Sequence, residues 1–191
     1  MKRTLLITVA LVGISSPLPI ATAAEGPDNE GGATGLVREV REGTADFRDV
    51  NAAIAAGYGS AGSCVTGPQE GAMGVHFSNR ALIADPSLDP QRPELLVYEQ
   101  RGGRMRLVAV EFLVIAAAWD ATNPRPPVLM GQHFQYVGSP NRYRLPPFYE
   151  LHVWAWRNNV SGMFVDWNPA VSCEEYTAEE VGGSSSSGHT H

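Results

Sequence analysis

Three side chains of types that commonly bind transition metals lie in three separate apolar segments of the sequence. His76, Glu111 and His152 are each surrounded by β-branched and aromatic residues. Two imidazoles and one carboxylate are a usual ligand set for zinc, copper or non-haem iron. His133, in the sequence Gly-Gln-His-Phe, is a candidate third imidazole. The pattern therefore predicts one bound transition metal ion, with His76, Glu111, His152 and His133 as its candidate ligands.

Two further glutamates in the same kind of segment are candidates for acid–base chemistry. Glu99 shares a strand face with Leu95 and Val97, because alternate residues of a strand point to the same side. Glu150 shares its face with His152 for the same reason. Charged side chains among apolar neighbours are costly unless they are paired, protonated or bound to a metal. We therefore predict that Glu99 and Glu150 face the pocket of the metal ligands and move protons there.

The segments that must position these residues have the composition of β-strands. Residues 73–78, 95–100, 105–115 and 148–157 are rich in β-branched and aromatic side chains. The sequence Arg-Gly-Gly-Arg at 101–104 predicts a tight hairpin between the second and the third strand. Proline-rich stretches separate the other strands and disfavour further helix. The strands are therefore expected to form an antiparallel sheet.

An amphipathic helical segment precedes these strands. Apolar residues recur at spacings of three and four between Leu36 and Ile54, with charged residues between them. Gly43 and Thr44 are expected to divide the segment, with Thr44 as N-cap of a second helix that ends at Gly57. The order of the elements predicts an α+β fold, in which an N-terminal helix or helix pair packs on a curled, barrel-like antiparallel sheet.

The N-terminal residues have the three parts of a secretory signal. Lys2 and Arg3 precede an apolar run over 4–13, and the small residues Ala-Thr-Ala end at position 23. The apolar run is shorter than the roughly 20 residues that cross a bilayer, and no later segment approaches that length. We therefore predict a signal peptide at 1–23 and a protein secreted to the extracellular space or the periplasm, without a membrane span.

The composition of the remaining chain predicts one folded unit. Small polar residues over 24–35 indicate a flexible lead-in, and the Gly/Ser-rich residues 178–191 indicate a flexible tail. Residues 36–177 are then a single globular domain. A formal net charge of −6 argues against nucleic acid and anionic membrane surfaces as partners. No feature of the sequence indicates an oligomeric state.

The chain contains two cysteines, Cys64 and Cys173. In an oxidising compartment an isolated pair usually forms a disulfide. The alternative is that both thiols contribute to a metal site, although neither has a cysteine or histidine beside it at ligand spacing. We therefore predict a disulfide between Cys64 and Cys173.

Five sequence motifs occur in an order and at spacings that carry a family resemblance. They are 71–77 (GAMGVHF), 93–99 (PELLVYE), 107–112 (LVAVEF), 151–156 (LHVWAW) and 167–173 (WNPAVSC). With them the chain resembles an uncharacterised family of exported bacterial proteins over about residues 40–173. The resemblance implies secretion and a shared fold, and it implies no particular activity.

Three functions are compatible with these residues. The first is a secreted metal-binding protein, which as an enzyme would use the metal to activate water or dioxygen. The second is a metal-free protein whose sheet and tryptophans enclose a small-molecule ligand. The third is a structural envelope protein in which the polar residues only pair with one another. Because the sequence has no G-x-S-x-G, H-E-x-x-H, Walker or dinucleotide-binding motif, it does not indicate the enzyme classes that carry them.

Overall fold

Two helices and a 3-10 turn come first in the described chain, and the strands follow with two short helices between them. The computed structural model describes residues 27–178, so the predicted signal at 1–23 and the predicted tail from residue 179 onward lie outside the described residues. The helices are α1 (Pro27–Thr44), α2 (Val50–Ala55), α3 (Arg80–Ile83) and α4 (Ala116–Asp120), and a 3-10 turn spans Asp46–Arg48. The strands are β1 (Gly59–Thr66), β2 (Ala72–Ser78), β3 (Leu95–Arg101), β4 (Arg104–Ile115), β5 (Val128–Leu129), β6 (Gln132–His133), β7 (Gln135–Val137) and β8 (Phe148–Val153).

Six of the strands form one curled antiparallel half-barrel sheet in the order β1-β2-β3-β4-β8-β7. The predicted α+β fold, with N-terminal helices on a curled antiparallel sheet, is confirmed. The predicted hairpin between β3 and β4 is also present, with Arg101 paired to Arg104. Its two central residues, Gly102 and Gly103, have φ values of 61° and 66°, which glycine adopts without a steric cost.

The helical segment differs from the prediction at its start and at its division. The helix α1 begins at Pro27, so part of the lead-in predicted over 24–35 is helical. Thr44 ends α1 and does not cap α2, because its hydroxyl donates to the Val40 carbonyl at 2.6 Å. The N-cap of α2 is Asp49, whose carboxylate accepts a hydrogen bond from the Asn51 amide at 3.0 Å. A carboxylate directly before the helix satisfies its free N–H groups better than a hydroxyl five residues away.

The strand β1 lies at one edge of the sheet and was not predicted from the sequence. Its residues, GSAGSCVT, are mostly small and have low β-propensity. Pairing with β2, which itself continues into the centre of the sheet, makes this segment a strand. The last predicted strand is shorter than expected, since β8 ends at Val153 and not at residue 157.

The helices cover one face of the sheet. Leu36 and Val40 of α1 and Ala53 of α2 are fully buried in the main core. Two hydrogen bonds fasten the helical segment to the sheet side: the Tyr98 hydroxyl donates to the Phe47 carbonyl at 2.6 Å, and Arg41 Nε donates to the Ala155 carbonyl at 2.7 Å. The sheet residues in this core include Val75, Phe77, Leu96, Phe112 and Leu151.

The other face of the sheet carries the candidate metal ligands between two apolar clusters. One cluster consists of Ala72, Val97, Val108, Ala109, Trp154 and Val171. The other consists of Leu95, Leu113 and Phe148, with partly buried residues of the 143–145 loop packed against it. The C-terminal segment and this loop therefore shield a face that the helices leave free.

The predicted disulfide between Cys64 and Cys173 is present, with the two Cα atoms 5.7 Å apart. It joins the edge strand β1 to the C-terminal segment, and it is consistent with an oxidising compartment. Within residues 27–178 the structure contains no helix with both the length and the apolar character needed to cross a membrane.

Candidate metal centre

His76, Glu111 and His152 come together on the face of the sheet that the helices leave free. One ligand atom from each side chain lies within 4.8 Å of the other two. The Nε2 atom of His76 is 3.2 Å from Oε2 of Glu111, and the centroids of the two imidazole rings are 5.8 Å apart. Ligand atoms around a tetrahedral zinc ion lie about 3.3 Å apart, given bonds of about 2.0 Å. The separations in the group therefore exceed those around a bound ion by at most about 1.5 Å.

The strand register explains why these three residues meet. Glu111 on β4 is paired directly with His152 on β8, so both side chains leave the sheet at the same level. His76 lies on β2, across β3, where Val97 is its direct neighbour. Because neighbouring strands are about 4.8 Å apart, an imidazole and a glutamate two strands apart can reach each other over an apolar residue.

The polar atoms of this group are buried without hydrogen-bond partners. The exposed fractions of His76, Glu111 and His152 are 2%, 1% and 0%. Both ring nitrogens of each histidine have no partner of acceptable hydrogen-bond geometry among residues 27–178, whereas the Glu111 carboxylate has the Glu150 carboxyl as a hydrogen-bond partner. Such atoms normally cost about 1–3 kcal/mol each when they are left unsatisfied, so a buried group of them indicates a partner that is not part of the chain.

Burial keeps both imidazoles in the form that binds a metal. Loss of solvation lowers the pKa of His76 to about 4 and the pKa of His152 to about 3. Both rings are therefore neutral at pH 7 and each has a free lone pair. For the same reason the short contact between His76 and Glu111 is not an ion pair at this pH.

The other titratable groups of the site are two glutamates, Glu111 and Glu150. Burial raises the pKa of Glu111 to about 7. Burial and then the adjacent charge of Glu111 raise the pKa of Glu150 to about 9, so Glu150 holds a proton at neutral pH. A bound cation would favour the ionised form of Glu111, and it would turn this residue into a negatively charged ligand.

The other predicted site residues do not all reach this group. Glu150 is buried on the same face, two residues from His152. Glu99 is buried but lies elsewhere along the sheet, where its carboxylate accepts a hydrogen bond from the Ser172 amide at 3.3 Å. His133 is exposed on β6, in the small second sheet, and it is not a member of the group. The structure therefore separates Glu99 and His133 from the candidate centre.

A cavity of about 1160 Å³ opens onto the candidate centre. His76 and Glu111 form part of its wall, and His152 does not line it. Catalytic metal sites have three protein ligands and leave a fourth position for water or substrate, and three is the number of ligands in this group. Structural metal sites, by contrast, are closed by four protein ligands.

Two aromatic residues complete the surroundings of the histidines. Strand alternation predicts that Trp154 shares the face of His152, whereas the position of Tyr143 could not be predicted. The Trp154 ring stacks on His152 with centroids 5.9 Å apart, and the indole N–H donates to the Val165 carbonyl at 2.6 Å. The Tyr143 ring meets His76 edge-on with centroids 6.1 Å apart. Tyr143 lies in an irregular loop, where no periodicity predicts which way a side chain faces.

Glu94 is a further buried carboxyl that strand alternation could not find, because it precedes β3. It is 2% exposed, and its carboxylate accepts a hydrogen bond from the Leu113 amide at 3.0 Å. Burial raises the pKa of Glu94 to about 8, against the opposing effect of that hydrogen bond. The folded protein therefore holds a proton on Glu94 at pH values where the unfolded chain has released it.

We expect Glu94→Gln to stabilise the metal-free protein increasingly as the pH rises. Between about pH 5 and pH 8 the wild type should lose up to about 1.4 kcal/mol of unfolding free energy per pH unit through this group, because only the unfolded chain is ionised there. Glutamine keeps an acceptor for Leu113 and does not titrate. Urea unfolding of chelator-treated protein at several pH values measures the difference, with exposed Glu174→Gln as control. A constant difference between Glu94→Gln and wild type across this range would contradict the prediction.

The fold and the site together define a disulfide-closed α+β protein with a buried group of two histidines and one glutamate beside a large cavity. A comparison of the chain with protein families, with curated proteins and with solved structures found no match.

Proposed function

We propose that this protein is a secreted metal-binding protein that holds one transition metal ion through His76, Glu111 and His152. The observation that carries the proposal is the burial of four ring nitrogens, two from His76 and two from His152, beside Glu111 and without hydrogen-bond partners of acceptable geometry among the described residues. A metal ion would bind one atom from each of the three side chains, whereas pairing of His76 with Glu111 alone leaves His152 without a partner. Zinc, copper and iron each accept this ligand set.

The number of ligands supports a metal-dependent enzyme, because three protein ligands leave a fourth position for water or substrate. A bound metal would supply a Lewis acid that activates water or dioxygen. His76, Glu111 and His152 would hold the ion. Glu150 keeps a proton beside Glu111 and is the candidate acid–base residue. Export is supported by the disulfide and by the predicted signal, and the resemblance to exported bacterial proteins stays a prediction.

Metal analysis of the purified protein tests this proposal directly. We expect the chelator-stripped protein, after reconstitution with zinc, copper or ferrous iron and removal of free metal, to retain about one ion of at least one of these metals per chain. Bound metal should also raise the midpoint of thermal unfolding, because it binds the folded state alone. Less than about one ion per ten chains with all three metals would overturn the proposal.

The cavity favours a second candidate function, that of a metal-free protein for a small-molecule ligand. Ligand sites are typically concave, largely apolar and supplied with a few polar groups. The cavity combines Leu95, Leu113 and Ile115 with His76 and Tyr143, which fits that description. In this case His76 and Glu111 would form part of the wall around the ligand. The metal analysis separates the two candidates, since only the first requires a retained ion.

A further inference from the structure

The cavity beside the candidate metal centre is positively charged in an otherwise acidic protein. The chain has a formal net charge of −6. Three arginines, Arg80, Arg142 and Arg144, line the cavity, and Glu111 is its one acidic lining residue. A bound metal ion would more than neutralise Glu111. The charge that a ligand meets in this cavity is therefore opposite in sign to that of the protein as a whole, and it attracts anions.

The three guanidinium groups are available to a ligand. Within residues 27–178 none of them forms an ion pair with a carboxylate. Arg142 stacks over the Trp167 ring, with its guanidinium carbon 5.3 Å from the ring centroid, and this contact restricts its orientation. An arginine that is already oriented loses less conformational freedom when it binds an anion.

The same loop places two of these arginines beside the metal ligands. Tyr143, which lies between Arg142 and Arg144 in the sequence, packs edge-on against His76 with ring centroids 6.1 Å apart. Both arginines and His76 therefore line the same cavity. The guanidinium fork is well suited to carboxylates, which it can bind through two parallel hydrogen bonds.

The cavity also has an apolar wall. Leu95 and Leu113 are buried on the sheet, and partly buried side chains from α3, β4 and the 143–145 loop extend the wall. The extension consists of Ile83, Ile115 and Leu145. A ligand with only a charged group would leave this surface in contact with water. The combination selects a molecule with both an anionic group and a hydrocarbon body.

We propose that the cavity binds an amphipathic carboxylate, with its hydrocarbon body on the Leu95–Leu113 wall and its carboxylate at Arg142 and Arg144. The inference rests on the proposed function in one respect: if a metal is bound, the amphipathic carboxylate is the substrate or ligand of the metal centre. Its binding contacts are the arginines and the apolar wall, and these do not include the metal.

Calorimetric titration with octanoate, 1-octanol and octylammonium tests the proposal on the metal-free and the metal-loaded protein. We expect octanoate to bind both forms at least about tenfold more tightly than 1-octanol, and octylammonium to bind more weakly than either. Lengthening the chain from hexanoate to octanoate should tighten binding about threefold per methylene group. Equal affinities for octanoate and 1-octanol, or no binding at millimolar concentration, would overturn the inference.

Arginine variants identify the groups that hold the carboxylate. The double variant Arg142→Gln/Arg144→Gln should bind octanoate about tenfold more weakly and 1-octanol almost unchanged. The matched control, Arg104→Gln/Arg125→Gln, removes two exposed arginines outside the cavity and should bind both as the wild type does.

The two proposals fail separately in this experiment. Arginine-dependent octanoate binding by a protein that retains no metal would leave the inference standing and overturn the proposed function. Octanoate binding that requires metal and is unchanged in the Arg142→Gln/Arg144→Gln variant would place the carboxylate on the ion. That result would support the metal centre and overturn the inference.

Discussion

Replacing His152 by alanine should lower the affinity for the bound metal by at least about a hundredfold. His152 is one of the three candidate ligands that lie together among the described residues. Loss of a group that merely orients a ligand already costs tenfold to a hundredfold in metal affinity, so loss of a ligand itself costs more. Competition with a chromophoric chelator measures the change in dissociation constant.

The stability of the same variant should change much less than its metal affinity. Alanine leaves a cavity at a fully buried position and removes the stacking on Trp154, both of which destabilise the protein. The substitution also removes two buried nitrogens that have no hydrogen-bond partner among the described residues, which offsets part of that cost. The free energy of unfolding of the metal-free protein should therefore fall by no more than about 2 kcal/mol.

Two control variants separate loss of a ligand from loss of packing. Leu113→Ala truncates a buried side chain on the same face without removing a ligand, and His133→Ala removes an exposed histidine outside the group. Both should keep metal affinity within about threefold of the wild type. Glu111→Gln, which keeps an oxygen ligand but loses the charge, should weaken binding less than His152→Ala. Metal affinity of His152→Ala equal to that of Leu113→Ala would contradict the assignment.

The face on which each candidate ligand lies could be predicted from the sequence because strand alternation is local. Around His76, Glu111 and His152 the alternation is uninterrupted, so the face follows from the sequence alone. The alternation does break in β4. It places Leu107 on the face of Glu111, whereas a register irregularity opposite Val97 and Tyr98 moves Leu107 into the core beneath the helices.

Position along a strand could not be predicted in the same way, and Glu99 shows why. Alternation puts Glu99 on the face of Leu95, but the register pairs Leu95 with Glu111 and Glu99 with Arg106. Four residues of strand separate the two levels by about 13 Å. The face on which a side chain lies is determined by its own strand. Its position along the sheet, relative to residues of other strands, depends on how the strands pair, and the sequence of one strand does not specify that pairing.

Loops and edges were the least predictable parts of the molecule. The strand β1 is set by its pairing with β2 and not by its own small residues. Tyr143 contacts His76 because the 138–147 loop folds back over the sheet. The spacing of residues in the sequence does not predict this contact. Two of the three arginines of the cavity lie in the same loop. The convergence of His76, Glu111 and His152 was therefore predictable, whereas the separate position of His133 and the cavity with its arginines required the structure.

Removing the disulfide should lower the free energy of unfolding by about 4–5 kcal/mol. Cys64 and Cys173 are 109 residues apart, and a crosslink that closes so long a loop removes much of the conformational entropy of the unfolded chain. The double variant Cys64→Ala/Cys173→Ala should therefore unfold at a lower urea concentration. The free energy of unfolding of the variant should also fall more steeply with urea concentration than that of the wild type, because the unfolded chain of the variant expands further. A loss below about 1 kcal/mol would contradict this account.

Reduction provides a matched control, since reduced wild type and the double variant should have the same stability, and reductant should not affect the variant. The folded state itself should change little, because other contacts hold the C-terminal segment to the sheet. Ala72 and Asn168 exchange two backbone hydrogen bonds at 3.2 and 3.1 Å, and the Thr177 amide donates to the Gln100 side chain at 2.9 Å. Metal affinity of the folded variant should accordingly stay within about threefold of the wild type. A large loss of metal affinity, with little change in the urea dependence, would show that the disulfide acts by shaping the site and not by restricting the unfolded chain.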